Sequence, residues 1–325
     1  MILVTGASGF LGGHVARALV RAGAPVRVLL RASSSTSAFD DLLDKVEIVR
    51  GDLTDLASLR AAVAGCRQLY HVAADYRLWT RDPQAMYRSN VTGTANLLDA
   101  AADAGVSRIV YTSTVGCMGW PADGRPTNED FPVSEADMSG PYKRSKFQAE
   151  QVALDRARRG VPVVIVNPTA PVGERDVKPT PTGKIIVDFL AGRMPAYLDT
   201  GLNLVDVRAV AQGHLLAAER GRVGERYLLG DRNMEFREIL EVLARISGRR
   251  APTLRIPYAV AYAFGALDTA IAGITGKEPR APLEGVKLAR HKMFIDSDKA
   301  QRELGYQPGD VEAALARAVE WFQRG

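Results

Sequence analysis

The chain is poor in cysteine. It has two in 325 residues, Cys66 and Cys117. Two thiols cannot staple a chain of this length, so a disulfide scaffold is excluded and a reducing compartment is expected. Neither thiol has a partner at metal-ligand spacing, and no metal is expected. Charge of one sign is also scarce. Lys and Arg number 42 against 37 Asp and Glu, a net +5, which points only weakly to anionic ligands. The basic run Arg156-Ala157-Arg158-Arg159 falls on helical periodicity and reads as a solvated helix face. No zinc-finger, helix-turn-helix or RNA-platform signature accompanies it, so no nucleic-acid partner is expected. The chain opens on the strand-like Met1-Ile2-Leu3-Val4-Thr5 without the pattern of a secretory leader, and a cytoplasmic location is expected. Long apolar runs are missing with one exception. Residues 256–275 carry a single charge, Asp268, and are long enough to raise the question of a membrane span. Pro257, Asp268 and the many Ala and Gly residues argue against an integral span. A buried or capping helix is expected, with peripheral membrane contact as the alternative.

What is present is core-forming material: 46% of the residues are hydrophobic. The length suits roughly two units of about 150 residues. Residues 1–170 repeat a short apolar run, a turn and an amphipathic stretch. Strands are expected over 2–5, 26–30, 46–50, 68–72, 108–112 and 161–167, and helices over 10–22, 56–63, 83–104 and 141–159. Apolar strands without polar alternation must be covered on both faces. The expected fold is therefore α/β, a Rossmann-type doubly wound parallel sheet with right-handed crossovers. Beyond that point Pro168, Pro171, Pro179 and Pro181 interrupt the pattern. Helices are expected over 184–191, 207–219, 235–246 and 309–322, with one short strand at 226–229. Residues 171–325 are expected to form a smaller, mostly helical substrate lobe with a partial return to the sheet.

The stretch Thr5-Gly6-Ala7-Ser8-Gly9-Phe10-Leu11-Gly12 joins the first strand to the first helix. Gly6 suits a tight turn, Gly9 the approach of a pyrophosphate to free helix amides, and Gly12 close packing of the helix. The context, strand then glycine loop then helix, predicts dinucleotide binding. A P-loop is excluded because no Lys-Ser/Thr pair follows. An NAD site usually carries an acid at the end of the second strand. This chain has Leu30 there, then Arg31 and Ala32-Ser33-Ser34-Ser35. A guanidinium and hydroxyls suit a 2′-phosphate, so NADP(H) is expected over NAD(H). Otherwise Arg31 simply faces water. Asp52, beside Leu53, is a candidate acceptor for the adenine amine, or a turn cap.

Tyr142 and Lys146 are four residues apart on an expected helix and share a face. A phenol is a weak base near neutrality. A nearby ammonium is expected to lower its pKa, so that Tyr142 can exchange a proton as hydride moves. Ser113 and Thr114 close the fifth strand, where such sheets present ligands, and either hydroxyl could hold a substrate oxygen.

Together these features resemble the extended short-chain dehydrogenase/reductase family, the NAD-dependent epimerases and dehydratases, over nearly the whole length. The glycine loop, His71-Val72-Ala73-Ala74, Asn90-Val91 with Gly93-Thr94, Thr114, the Tyr142/Lys146 pair and Pro168 carry the resemblance. It implies Thr114, Tyr142 and Lys146 as catalytic residues. It implies Gly6, Gly9, Phe10, Leu11, Gly12, Arg31, Asp52, Leu53, Ala73, Lys146 and Pro168 around the cofactor. Val26-Arg27, Arg31 and Asn167-Pro168 are similar to the NADPH-using dihydroflavonol reductase branch. Asn167 to Gly173, Lys178 to Gly183 and Asn203-Leu204-Val205-Asp206-Val207 resemble bacterial hopanoid-associated sugar epimerases most. That likeness implies an NAD(P)-dependent sugar epimerase acting on a nucleotide sugar or related sugar in a hopanoid lipid pathway. The chain departs from common sugar epimerases at Leu30, Asn167 and Met118, which favours a ketone reductase as the alternative. Asp75, Tyr76, Arg175 and Lys184 are expected on the substrate side, by position in the chain. A homodimer packed through the helices at 83–104 and 141–159 is expected from the same resemblance. A non-catalytic NADP(H) sensor or scaffold is the rival; retention of Tyr142 and Lys146 argues against it.

Overall fold

The apolar runs of the first half lie edge to edge in one sheet. A computed structural model describes residues 1–324. It contains strands β1 (Ile2–Thr5), β2 (Val26–Leu30), β3 (Val46–Arg50), β4 (Gln68–His71), β5 (Arg108–Thr112) and β6 (Val163–Pro168). In the second half follow β7 (Ala170–Val172), β8 (Ala196–Tyr197), β9 (Gly201–Asp206), β10 (Arg226–Leu229), β11 (Arg232–Glu235) and β12 (Leu254–Arg255). β10 returns to the first sheet and gives a seven-stranded order β10-β6-β5-β4-β1-β2-β3. Every pairing in that sheet is parallel. The winding reverses between β1 and β4, so the carboxyl ends of these neighbours border the crevice where such sheets take ligands.

The helices are α1 (Phe10–Arg21), α2 (Leu56–Val63), α3 (Pro83–Tyr87), α4 (Gly93–Asp103), α5 (Gly140–Arg158), α6 (Pro181–Leu190) and α7 (Val207–Arg220), then α8 (Phe236–Ser247), α9 (Tyr258–Thr275), α10 (Leu283–Leu288), α11 (Asp298–Leu304) and α12 (Val311–Arg324). Alternate strand residues feed two cores. Val4, Val28, Val110 and Val164 face α1, α7 and α11. Leu3, Leu29, Leu69, Ile109 and Ile165 face α2, α4 and α5. Period-two alternation of wholly apolar residues is what coverage on both faces requires.

A third core, with Ile186, Phe189, Leu204, Met234, Leu243 and Leu315, holds the smaller lobe. The second half returns to the sheet in part and adds strands that were not expected. α7, β10 and α11 pack on the seven-stranded sheet although they lie after residue 170. The lobe also contains a three-stranded sheet, β11-β9-β7, and a two-stranded one, β12-β8. These strands span two to six residues and pair with distant segments, so local periodicity does not reveal them.

The boundaries shifted for local reasons. The expected helix at 83–104 is broken by a π-helical turn, Arg88–Thr92. α6 begins at Pro181, three residues before the expected start, because the Thr180 hydroxyl caps it by accepting from the Gly183 amide at 3.1 Å. α9 caps the lobe and is not buried: Ala261, Gly265 and Ala272 are its buried residues.

The first turn of α1 sits directly on the chain leaving β1. A Cβ on Gly12 would lie 2.1 Å from the Gly6 carbonyl oxygen, a backbone clash that no side-chain motion relieves. Gly12→Ala is therefore expected to cost at least about 1–3 kcal/mol and to weaken nucleotide binding. Urea unfolding and fluorescence titration with NADPH measure the two effects.

Candidate active site

The glycine loop is shaped by what surrounds it. Gly6 has φ +77°, and a Cβ there would meet the Ala73 amide nitrogen at 2.7 Å. Ala73, just past β4, therefore lies against the β1 turn. A buried relay fixes this contact. His71 is hydrogen-bonded to the hydroxyls of Thr5 at 2.9 Å and Thr94 at 3.0 Å. The Ala73 amide donates to Thr5 Oγ1 at 3.2 Å. Burial pulls the His71 pKa down to about 3, with the Lys146 charge adding to it, so the ring is a neutral structural link at any working pH.

Gly9 caps α1 in extended conformation, no side chain caps its amides, and the first turn holds no acid. Uncompensated amides and the helix dipole make this an anion cradle. At Gly6 and Gly12 a Cβ would strike backbone, and at Gly9 it would lie 3.3 Å from the Gly6 carbonyl oxygen, so the turn keeps its tight shape only with glycine. Phe10 is buried and Leu11 half-buried in the same turn.

At the far end of the crevice, Arg31 is exposed and in no ion pair among the described residues. Arg50 pairs in register with Leu30, and its guanidinium donates to the Arg31 carbonyl at 3.0 Å. Asp52 accepts from the Thr54 amide at 2.9 Å and hydroxyl at 2.6 Å. These bonds, and the charge of Arg31, hold its carboxyl below the usual carboxylate range. Leu53 is half-buried against Gly93. Pro168 ends β6 opposite Leu229.

The reactive groups lie at the carboxyl end of β5 and the start of α5. Ser113 is buried and donates to Cys117 Sγ at 3.5 Å. Thr114 is half-buried, and its hydroxyl lies against the Tyr142 phenol. Of the two hydroxyls, Thr114 is thus the one beside Tyr142. Lys146 is 2% exposed. Its ammonium donates to Tyr111 Oη at 3.0 Å and to the Thr112 carbonyl at 2.8 Å, over the Tyr111 ring. Burial among neutral partners lowers its pKa to about 8, with Cys117 and Glu150 pulling the other way.

One expectation is corrected here. The Tyr142 pKa is not lowered but pushed up to about 12, by burial first, with the Thr114 hydroxyl offsetting only part. Lys146 is turned toward Tyr111 and Thr112, so desolvation of the phenol outweighs the ammonium. Tyr142 is a protonated acid near neutrality.

Of the expected substrate-side residues, two lie near this group. Asp75 and Tyr76 both act electrostatically on Tyr142. Asp75 is tied to Arg77 at 2.5 Å, and the Tyr76 hydroxyl reaches the Lys178 carbonyl at 3.5 Å across the crevice. The other two are not joined to this group. Arg175 is in the left-handed region at φ +66° and pairs with Asp40 at 2.7 Å and Asp41 at 3.4 Å, so its charge is engaged on the β2 side. Lys184 is a half-buried helix residue whose side chain makes no hydrogen bond to the Tyr142 group. Position along the chain did not reveal that residues 173–176 fold back over α1, where the Glu174 carbonyl meets His14.

Asn90 and Asn167, noted in the sequence only for the resemblance, take supporting roles together with Glu150 and Arg226, which the sequence did not mark. Asn90 accepts from the Asp75 amide at 2.7 Å and donates to Ser145 at 3.0 Å. Asn167 donates to the Thr114 carbonyl at 3.1 Å and to Glu150 at 2.7 Å, and Arg226 reaches Glu150 at 3.3 Å. Glu150 sits mid-helix on a polar stretch, where nothing local marks it as fully buried. A cavity of about 540 Å³ is lined by Met118, Lys143, Trp120, Phe131, Tyr258 and Tyr262 among others; Thr114, Tyr142 and Lys146 are not in its lining.

The sequence model of the NAD dependent epimerase/dehydratase family matches residues 2–230. The chain is 44% identical over 324 residues to a putative dihydroflavonol 4-reductase of Synechocystis, covering 98% of this chain and 94% of that one. It is 37% identical over 323 residues to sterol demethylase protein B of Methylococcus capsulatus, covering 99% and 98%. A nucleoside-diphosphate-sugar epimerase from Pseudomonas aeruginosa has a solved structure similar to this one, with TM-score 0.82 and 30% identity over 99% and 97% of the two chains.

Asn167 bridges the Thr114 loop to a buried carboxylate. Asn167→Ala strands part of that carboxylate's bonding and is expected to destabilise the fold by about 1–3 kcal/mol, read as a lower midpoint in urea.

Proposed function

The chain belongs to the NAD dependent epimerase/dehydratase family, and within it we propose that it is an NADPH-dependent reductase of a ketone on an amphipathic small molecule. The observation that carries this reading is the constellation at the carboxyl end of β5, where the Tyr142 phenol lies against the Thr114 hydroxyl and the Lys146 ammonium, on the same face of α5, is held by Tyr111 and the Thr112 carbonyl. A phenol that keeps its proton near neutrality can give it to a forming alkoxide as hydride reaches the carbonyl carbon.

The nicotinamide, when bound, supplies the hydride. Thr114 orients the substrate oxygen by hydrogen bonding. Tyr142 gives its proton to that oxygen and becomes a phenolate. The Lys146 ammonium, four residues along the same helix face, stabilises the negative charge, and the proton is restored from solvent. Asp75 and Tyr76 border the substrate. The aromatic lining of the cavity, Trp120, Phe131, Tyr258 and Tyr262, supports an apolar or ringed substrate body. Arg31 and Arg50 at adjacent strand ends support a 2′-phosphate, hence NADPH over NADH. A homodimer packed through α4 and α5, and a cytoplasmic location, belong to the same proposal.

A second reading is a hopanoid-associated sugar epimerase, which would return the hydride to the same carbon from the other side. The cationic Lys287 and Arg290 at the cavity favour it, because they suit a diphosphate. Isotope exchange separates the two. Stoichiometric loss of NADPH supports the reductase, and hydride scrambling without net consumption supports the epimerase.

Tyr142→Phe is expected to bind NADPH normally and to lower kcat by about 10²–10⁴-fold. In the intact enzyme, Lys146 is charged below its pKa of about 8. Reduction should therefore be fastest below that pH and fall as Lys146 loses its proton above it; a kcat profile flat through pH 10 contradicts this. Arg31→Glu is expected to raise the Kd for NADPH by about tenfold or more while sparing NADH, since one charge-assisted contact to phosphate is replaced by repulsion. Parallel titrations with both cofactors at matched ionic strength measure it.

A further inference from the structure

α9 presents an apolar stripe to the outside. Val260, Phe264, Leu267, Ile271 and Ile274 follow one another at spacings of four and three residues, so they share a face. They are 56%, 56%, 63%, 47% and 85% exposed. The opposite face is made of small residues, and Gly265 packs on Val286 and the Ala281 carbonyl near α10. The helix carries one charge, Asp268, which accepts from the Ala281 amide at 2.8 Å and is half-buried. Side chains of this size, contiguous and exposed, mark a contact surface.

The charge around the helix says what kind. Residues 249–292 contain eight Lys and Arg against three acids, and the other 281 residues contain 34 of each. The entire net charge of the chain therefore resides in the segment that carries α9. Arg249, Arg250, Lys277, Arg280, Lys287 and Arg290 are exposed and in no ion pair among the described residues. Glu278 is the one exposed acid of the segment. Apposing two copies of this stripe about a twofold axis would bring basic ends together, which repels. An anionic lipid surface attracts them while burying the stripe.

The helix cannot cross a bilayer as the chain is folded. Before it, β12 pairs with β8 and the Ile256 amide donates to the Tyr197 carbonyl at 3.0 Å. After it, the Leu283 amide folds back on the helix, donating to Thr269 Oγ1 at 2.9 Å, and the Met293 amide donates to the Gly201 carbonyl at 2.9 Å. Both ends are tied to one body, so α9 can lie in the interface but not span. Tyr258 and Tyr262 of the same helix line the cavity.

We propose that α9 docks the protein on an anionic phospholipid bilayer, its Val260–Phe264–Leu267–Ile271–Ile274 stripe immersed at the headgroup level and the flanking arginines and lysines on lipid phosphates. Docking brings the cavity mouth to the lipid surface. The inference concerns binding and stands whether or not the ketone-reductase reading does.

The test is co-sedimentation of the full chain with vesicles. Binding to phosphatidylcholine with about 40% phosphatidylglycerol is expected to be at least about tenfold tighter than to phosphatidylcholine alone, and to weaken as salt rises. F264E/L267E/I274E is expected to lose this binding by more than about tenfold while keeping NADPH affinity, because these side chains are exposed and outside the cavity lining. R249Q/R250Q/K277Q, which leaves the stripe intact, is expected to lose the preference for anionic lipid and guards against misfolding of the first variant. Failure to bind either vesicle, equal binding to both, or unchanged binding by both variants overturns the proposal. So does sedimentation showing a wild-type dimer that F264E/L267E/I274E converts to monomer, since the stripe would then be an interface between copies.

Discussion

The site depends on an ammonium held in the core by neutral groups. Lys146 reaches from α5 to the carboxyl end of β5, where a phenol and a backbone carbonyl accept from it. No carboxylate pairs with it, and a buried charge without a counter-ion is costly. The charge is thereby kept weakly held, near the point at which it can be given up, and available to any negative charge that develops on Tyr142. A carboxylate partner would quench that availability. Glu150 lies on the same helix one turn further on, but Arg226 and Asn167 occupy it. Engaging Glu150 elsewhere leaves Lys146 to Tyr142.

The cofactor half is built on the same economy of contact. Thr5, His71 and Thr94 link the ends of β1, β4 and α4 through hydrogen bonds, so the glycine turn and Ala73 are set against each other by the core and not by the loop itself. Neutral His71 suits this use, because a charged ring so close to Lys146 would repel it. Anion affinity then comes from uncapped amides and from arginines at adjacent strand ends, with no acid among the first-turn residues of α1 to oppose them.

The lobe follows a different rule. Its core is closed by α6, α8 and α12, and α9 lies outside that core with its large side chains turned away from the protein. A helix this apolar would ordinarily be buried. Its position beside the cavity ties the nature of the outer surface to the nature of what enters.

Much of this was legible in residue order. Strand periodicity, the glycine spacing and the Tyr142/Lys146 interval are local patterns, because backbone geometry repeats every two or 3.6 residues and a phosphate cradle needs consecutive amides. Hence the parallel sheet, its cofactor crevice and the shared helix face followed from sequence alone. The direction of the Tyr142 shift did not. It depends on how much water the fold removes from the phenol against how near it brings the ammonium, and both are distances between α5 and β5. The ion pairs of Arg175 were not legible for the same reason: its partners Asp40 and Asp41 lie far away in the chain. The burial of Glu150, the short strands of the lobe and the outward stripe of α9 were likewise decided by tertiary contacts, since a residue's type fixes what it can bond to and only the fold decides what it meets.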